Sequence, residues 1–498
     1  MADTLRAPLL ERRARERGSR FQPGSRRVAM AYPSPYRAAM SSLGYQWVLE
    51  QLASAGLSVE RVVLPDEVAE YRRRRAPVVS LETLTPLGQF PVIAVSLAYE
   101  LELAGLVELL ELSGIPPRRE DRTAGHPVVV IGGPLTFSNP LPAAPFADVM
   151  LLGEAEETAP IAVSGYFEHE TRESWLNAVA ALPGAFLPER DGVVLPAVAK
   201  ASDALLPARS HILSPDAELA DMFLIEGERG CHRGCAFCVM RRSTNGGMRL
   251  VTPERILSYV PEEARKVGLV GAAISDHPQL VELLEVLVGS GRQVSLSSLR
   301  ADRIERRPAI ARLLRESGAR TLTVASDGAS RRLRREIQKG TVERHLEACA
   351  QITGELGFDV YKVYMMVGLP GENEDDIQEL VDFTLKLRAL TGRTRVALGI
   401  APFVAKRNTP LDGQPFAGVK EVERTLKALA KGLRGKVEVR PTSARWAWVE
   451  YELAQGGPEA GEAVLEAVHA GATFADYKRA LLALDPDTKR PWAPLAAK

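Results

Sequence analysis

Three of the four cysteines in this chain, Cys231, Cys235 and Cys238, fall within eight residues, while Cys349 stands apart. So dense a thiol cluster in a 498-residue chain otherwise nearly free of cysteine is no disulfide framework. It points to a metal site kept in a reducing, cytoplasmic compartment. Cys349, in the helical-looking stretch EACAQI, reads as a buried small hydrophobe.

The cluster reads Gly227-Glu228-Arg229-Gly230-Cys231-His232-Arg233-Gly234-Cys235-Ala236-Phe237-Cys238, a C-x3-C-x2-C spacing in which Gly230 and Gly234 let the loop fold back so that three sulfurs converge. Three thiolates on a four-iron cube leave the fourth iron open, and an open iron can take a substrate. Structural zinc needs four ligands. His232 is adjacent to Cys231 and badly placed as a fourth, and no second Cys/His pair lies nearby.

Short apolar runs alternating with helical patterns surround this segment. Strands are expected at Arg27–Tyr32, Pro91–Ser96, Pro127–Gly132 and Val149–Gly153, with helices over about Ala39–Ala55 and Leu101–Ser113. This reads as a parallel sheet covered on both faces. Its strands end in small or polar residues, Ser96, Gly132-Gly133 and Gly153-Glu154, where a ligand can approach beyond the carboxyl ends of an open sheet. Tight turns use the same glycines. A Pro/Ala-rich linker around Leu205–Pro215 precedes six further strands: Met222–Glu226, Leu269–Ser275, Gln293–Ser297, Arg320–Ser326, Val360–Val367 and Arg395–Ala401. Helices are expected at Pro253–Lys266, Pro278–Leu287, Pro308–Glu316, Val342–Leu356 and Glu374–Leu390. Right-handed βα repeats of this kind build a barrel or part of one, with chemistry at the carboxyl ends of its strands. The expected domains are a flexible basic lead-in (1–26), an α/β domain (27–205), a partial barrel (215–417) and a helical C-terminal region (418–498).

The thiol spacing after the first strand of a (βα)6-type domain resembles the signature of the radical S-adenosylmethionine (SAM) superfamily. Later elements agree in order over about 200 residues. Val367-Gly368-Leu369-Pro370-Gly371-Glu372 resembles the family's G-L-P-G-E-T element, and Ala401-Pro402-Phe403-Val404 with Lys406 and Thr409-Pro410 resembles its F-V-P-K-P-x-T-P element. The resemblance implies a [4Fe-4S] cluster on Cys231, Cys235 and Cys238 whose open iron chelates SAM. The reduced cluster would cleave SAM to a 5′-deoxyadenosyl radical that abstracts hydrogen from an unactivated carbon, chemistry that a cofactor has to carry. It also implies a one-electron reductant of flavodoxin or ferredoxin type as partner. The implied SAM contacts are Ser275 and Asp276, where the family's Gly-Gly-Glu segment is replaced by Ile274-Ser275-Asp276, then Ser297, Arg300, Ser326, Asp327, Arg334 and Gly368. Arg331–Arg335 reads equally as a solvated basic face.

The N-terminal half resembles the flavodoxin/Rossmann-like cobalamin-binding domain of some radical SAM proteins. The segments that carry this are Tyr32-Pro33, Met40–Gly44, Ser96–Glu100, Gly132-Gly133-Pro134 and Gly153–Glu156. That resemblance implies a corrin site near Ser96, Gly132, Gly133, Gly153 and Glu154, and methyl transfer as the reaction. The chain departs from the family pattern in lacking D-x-H-x-x-G, and His126 precedes a strand without that context. Two options follow: cobalamin held without a histidine on cobalt, or a retained fold without the cofactor. Methylthiolation would need further cysteines in the N-terminal half, and residues 1–230 contain none.

A non-catalytic, metal-stabilised binding protein is the alternative of a different class. Its support would be the basic clusters at Arg72–Arg75, Arg241–Arg242 and Arg331–Arg335, which are scattered and lack interleaved aromatics. Lys+Arg and Asp+Glu both number 63, so the chain is not built as a whole to hold nucleic acid or an anionic membrane. No apolar run approaches the ~18–20 residues that span a bilayer. The Arg-rich first 27 residues have no apolar core, so a secretory leader is not expected. The substrate is not legible.

Overall fold

The computed structural model describes residues 3–240, 247–485 and 490–492, so the Arg241–Arg242 pair lies outside the described residues. The described chain divides into two compact units: residues up to Phe223 together with those from Glu452, and Leu224–Tyr451.

In the first unit the expected apolar runs form strands β1 (Arg27–Tyr32), β3 (Val92–Ser96), β4 (Val128–Gly132) and β5 (Val149–Leu151). Two more strands join them, β2 (Ser58–Val63) and the short β6 (Ala185–Phe186). The order is β2-β1-β3-β4-β5-β6, parallel except for antiparallel β6. Order 2-1-3-4-5 is that of flavodoxin-like sheets, whose switch point lies between β1 and β3. Helices Leu43–Ser54 and Glu102–Leu112 match the expected helical segments. Ser42 caps the first by accepting from the Tyr45 N–H.

β2 has no apolar signature because its sequence, SVERVV, carries two charges that are nonetheless wholly buried. Glu60 accepts from Arg27 at 2.6 Å and from Ser80 at 2.6 Å. Arg61 donates to Glu16 at 2.7 and 2.8 Å and to Glu82 at 2.6 Å. Glu16 also accepts from the Tyr36 hydroxyl at 2.6 Å. The lead-in therefore differs from the flexible arm expected of it. Asp3–Arg15 is a helix, and the glutamate that follows is pulled into the core by an arginine that needs it.

The second unit contains all six expected strands: β7 (Met222–Glu226), β10 (Lys266–Val270), β11 (Gln293–Leu296), β12 (Thr321–Asp327), β13 (Val360–Val367) and β14 (Arg395–Pro402). β8 (Glu228–Gly230) and β9 (Met248–Leu250) form an antiparallel ribbon, and β15 (Glu438–Pro441) adds parallel to β14. The sheets run β11-β10-β7 and β12-β13-β14-β15, so the partial barrel consists of two half-sheets. β10 lies earlier than expected. The run Gly271-Ala272-Ala273 leaves the sheet and enters a tight turn at Ile274–Asp276. The expected helix Pro253–Lys266 stops at Tyr259, because Val260 precedes Pro261 and is extended rather than helical. At the end of β13, Gly368 (φ +78°) turns the chain, and its N–H donates to Glu372 at 2.7 Å. Burial pushes the Glu372 carboxyl up to about 7.

The expected C-terminal region divides between the units. Helix Val419–Gly432 and β15 cover β14's side of the partial barrel, whereas helices Pro458–Ala470 and Phe474–Leu482 group with the first unit. Gly461 explains the latter placement, because a Cβ there would lie 2.0 Å from the Pro142 carbonyl oxygen, so only glycine permits the approach. The Asn139 amide donates to the carbonyls of Leu453, Ala454 and Gly456. No helix among the described residues is long and apolar enough to cross a membrane.

Two predictions follow from these buried charges. Arg61→Met leaves Glu16 and Glu82 buried without a counter-ion, which costs about 3–5 kcal/mol, read as a lowered Tm. Adding Glu16→Gln and Glu82→Gln restores part of that loss. Glu372 has a folded pKa above its unfolded one, so its contribution is complete below the ordinary carboxyl range and is lost as pH rises through about 7. Thermal melts should fall between pH 5 and pH 8 in wild type, and less steeply in Glu372→Gln.

Candidate functional site

The thiols lie in the loop closing the β8–β9 ribbon, in which Glu228 pairs with Leu250 and Gly230 with Met248. Gly230 (φ +102°) reverses the chain just before Cys231. The loop is pinned at its middle. The Ala236 N–H donates to the Ile337 carbonyl at 2.9 Å, and the Ala236 carbonyl accepts from Leu411 at 3.3 Å. The Cys231 sulfur accepts from the Arg233 N–H at 3.4 Å. Burial raises the pKa of Cys231 and of Cys238, and these two backbone donations, from Arg233 and Met240, oppose it.

All three cysteines line one cavity of about 370 Å³. Its other walls are the chain leaving β10 (Ala272, Ala273), the end of β11 with the loop after it (Ser295–Arg300), and β12 (Thr321, Thr323, Val324, Ala325 and Asp327), with Lys339 and Tyr364. Among the described residues no group of three or more His, Cys, Asp or Glu converges as ligands of one ion. A four-iron cube asks for something else, one thiolate on each of three separate irons around a shared space. Three thiols facing one cavity fit that requirement. Cys349 is elsewhere, fully buried, with its thiol against the Ala301 carbonyl at 3.5 Å.

Among the residues singled out from sequence, Ser297, Arg300 and Asp327 line this cavity. Ser275 and Asp276 lie behind it. Buried Ser275 accepts from the Arg300 N–H at 3.1 Å. Asp276, whose side chain is 1% exposed, takes a bidentate pair from Arg233 (3.1 and 3.1 Å) and a further hydrogen bond from Arg303. Burial alone would raise its pKa, and the arginines outweigh that and hold it below the usual range. The Arg300 side chain is 10% exposed, with Nε on Asp302 at 3.0 Å and Nη2 buried without a partner. An orphaned guanidinium nitrogen on a cavity wall is a ready receptor for a carboxylate.

Ser326, Arg334 and Gly368 serve the fold. The Ser326 hydroxyl donates to the Gly328 carbonyl at 3.2 Å. Arg334 is turned inward by the helix Arg331–Glu336, is buried, and pairs with Glu343. Gly368 makes the turn into the next helix. Asp327 sits at φ +62° and pairs with Lys339. Glu228 was not foreseen. It is fully buried, accepts from the Ala273 N–H at 2.6 Å, and has one oxygen without a partner; burial pushes it up to about 7. Its proximity to the cavity wall comes from a long-range strand pairing that no local pattern announces.

In the first unit Ser96 pairs with Gly132 at the carboxyl ends of β3 and β4. Gly133 and Gly153 are required by the fold itself, since a Cβ would stand 2.6 Å from the Leu97 oxygen and 2.5 Å from Ala199 backbone. Glu154 is buried and accepts from the Ala201 N–H at 2.8 Å. Gly132 is the less crowded of the three, since a Cβ there would meet only the Leu151 oxygen, at an ordinary contact distance of 3.7 Å. His126 accepts from the Thr123 N–H within its own turn at 3.0 Å. At the β1/β3 switch point, buried Glu102 accepts from Ser34 at 3.0 Å and from the Ala98 N–H at 2.6 Å.

With this geometry in hand, residues 225–384 match the radical SAM superfamily and residues 44–188 match the N-terminal domain of radical SAM proteins. An uncharacterized protein of Methanocaldococcus jannaschii is 27% identical over 427 residues, which are 82% of this chain and 85% of that one. Among solved structures, the radical S-adenosylmethionine methyltransferase TsrM from Kitasatospora setae, with cobalamin and a [4Fe-4S] cluster bound, matches with TM-score 0.52. Identity to it is 14%, over 93% of this chain and 92% of that one. OxsB, a cobalamin-dependent SAM radical enzyme with aqua-cobalamin bound, matches with TM-score 0.50 and 14% identity over 86% and 62% of the two chains. At such identities the likeness is one of fold. The thiol loop, the cavity it faces and the two family matches agree: this chain belongs to the radical SAM superfamily.

Proposed function

We propose that this radical SAM enzyme is a cobalamin-dependent methyltransferase. The observation that supports the radical part is the shared cavity, lined by the three cysteines and by Arg300, whose Nη2 is buried without a partner. Cys231, Cys235 and Cys238 would hold the cluster, and Arg300 would receive the SAM carboxylate. Asp276 is a positioning residue: through Arg233 it fixes the cysteine loop, and beside it Asp302 fixes Arg300. When bound, the cluster with SAM supplies a 5′-deoxyadenosyl radical, and the corrin supplies a methyl carrier. A low-potential flavodoxin or ferredoxin would deliver the electron.

The corrin is supported by the flavodoxin-like strand order and by the fold shared with TsrM and OxsB, both of which are solved with cobalamin. It could approach at the carboxyl ends of β3 and β4, where a Cβ on Gly132 would meet nothing nearer than 3.7 Å. A second reading, a radical SAM enzyme with no corrin, is favoured by Gly133, Gly153 and His126, which already serve the chain itself.

Anaerobic reconstitution with iron, sulfide and cobalamin tests both. About four irons per chain are expected in wild type and none in the triple Cys231→Ala, Cys235→Ala, Cys238→Ala variant. Reduced wild type with SAM should yield 5′-deoxyadenosine and S-adenosylhomocysteine, and a corrin absorption band should stay with the protein through desalting. Deoxyadenosine without retained corrin removes the methyltransferase and keeps the second reading. Arg300→Gln should raise the KM for SAM about tenfold or more, the size of a lost hydrogen bond to a charged group, with iron content unchanged.

A further inference from the structure

The inner face of the half-sheet β12–β15 is unlike a packed barrel interior. Closed barrels fill that space with layers of branched apolar side chains. Here alternate residues of β13 face inward as Lys362, Tyr364 and Met366, while Tyr361, Val363, Met365 and Val367 are buried against the helices. Tyr364 is 46% exposed, high for an aromatic ring inside a barrel, and it lines the same cavity as the three thiols.

The register shows what holds it there. Tyr364 is flanked by Ala325 on β12 and by Gly399 on β14, with Arg440 next on β15. A Cβ on Gly399 would lie 2.7 and 2.8 Å from two atoms of the Tyr364 ring, so the ring lies flat across a gap in β14 that only glycine provides. The Lys362 ammonium donates to the Tyr364 hydroxyl at 2.8 Å and lies 4.3 Å from the ring centre. Among the described residues Lys362 has no carboxylate at ion-pair distance. Glu438, whose carboxyl Lys362 helps to hold below the usual range, is itself paired with Arg440 at 2.7 and 2.8 Å. A lysine with three donors, one of them used, therefore stands beside a half-exposed aromatic ring.

We propose that Tyr364, Lys362 and Gly399 form the subsite for the substrate's anionic end, a carboxylate or phosphate on a flat unsaturated body. The flat body stacks on Tyr364 and the anion meets Lys362. This deepens the radical SAM reading and rests on it. Lys362 lies two residues, roughly 6.6 Å of strand, toward the amino end of β13 from Tyr364. The anion is thereby held on the side of the ring away from the carboxyl end of the strand. Arg300, which belongs to the other half-sheet's end, remains for SAM.

The test uses the full chain, reconstituted anaerobically and saturated with SAM, titrated with benzoate, phenyl phosphate and neutral benzamide by saturation-transfer NMR. At least one anion should bind about tenfold tighter than benzamide, and the tighter of the two identifies the head group. Lys362→Met should abolish that preference, and Tyr364→Leu should weaken all three probes. Gly399→Ala should do the same by displacing the ring, with circular dichroism and cluster absorbance reporting that the variants fold. Equal binding of benzamide and both anions, or an intact preference in Lys362→Met, overturns the proposal. Deoxyadenosine production by the wild type is read separately. Anion preference without SAM cleavage overturns the proposed function and leaves the subsite, and cleavage without anion preference does the reverse.

Discussion

One buried carboxylate organises the chemistry-bearing half of this protein. Asp276 holds Arg233 from the cysteine loop and Arg303 from the helix Ala301–Arg306, and Asp302 beside it holds Arg300. A loop carrying three thiols is otherwise a poor scaffold, because burial makes Cys231 and Cys238 resist ionisation and the backbone around them has few ladder bonds. Tying that loop to the turn after β10 by a bidentate guanidinium pair supplies the rigidity that a strand would have given. The cations gathered there also offset the negative charge that three thiolates bring, so the arrangement suits a cluster ligated by sulfur.

The same turn explains why the expected Gly-Gly-Glu segment could be lost. Its place is taken by Gly271-Ala272-Ala273 in front and the Ser275-Asp276 pair behind. Gly271 allows Glu228 to come close, since a Cβ there would lie 2.4 Å from its Oε1. An acid from the ribbon preceding the thiols, Glu228, thus lies against the chain that leaves the second strand and accepts from its Ala273 N–H. The two positions lie side by side in space and 43 to 48 residues apart in the chain.

Much of the fold is legible from local pattern. The apolar runs of β1, β3, β4 and β5 stand out because both faces of a parallel sheet are buried, and the thiol spacing fixes the centre of the second unit. What escaped depends on partners far along the chain. β2 looks polar until Glu16 and Glu82 are seen to close around Arg61. Arg334 sits in a run of arginines that reads as a solvated face, and only the phase of the helix Arg331–Glu336 decides that this one points inward while Arg331 and Arg332 do not. Ser275 and Asp276 are named from sequence at the end of the second strand, but their place behind the cavity, holding Arg300 and Arg233, depends on those distant partners. The strand Val360–Val367 is legible, but nothing in its pattern singles out Tyr364, whose ring lies where Gly399 on the neighbouring strand has no side chain.

The split between β11 and β12 has a mechanical meaning. A closed barrel is a hoop of hydrogen bonds, and widening it breaks every ladder at once. Here the strands belong to separate sheets, joined by the chain that carries the helix Ala309–Glu316. Where no ladder joins β11 to β12, side chains such as Leu296, Leu314 and Thr321 make the cavity wall instead, so the shape of the room is set there by side-chain size and not by backbone pairing.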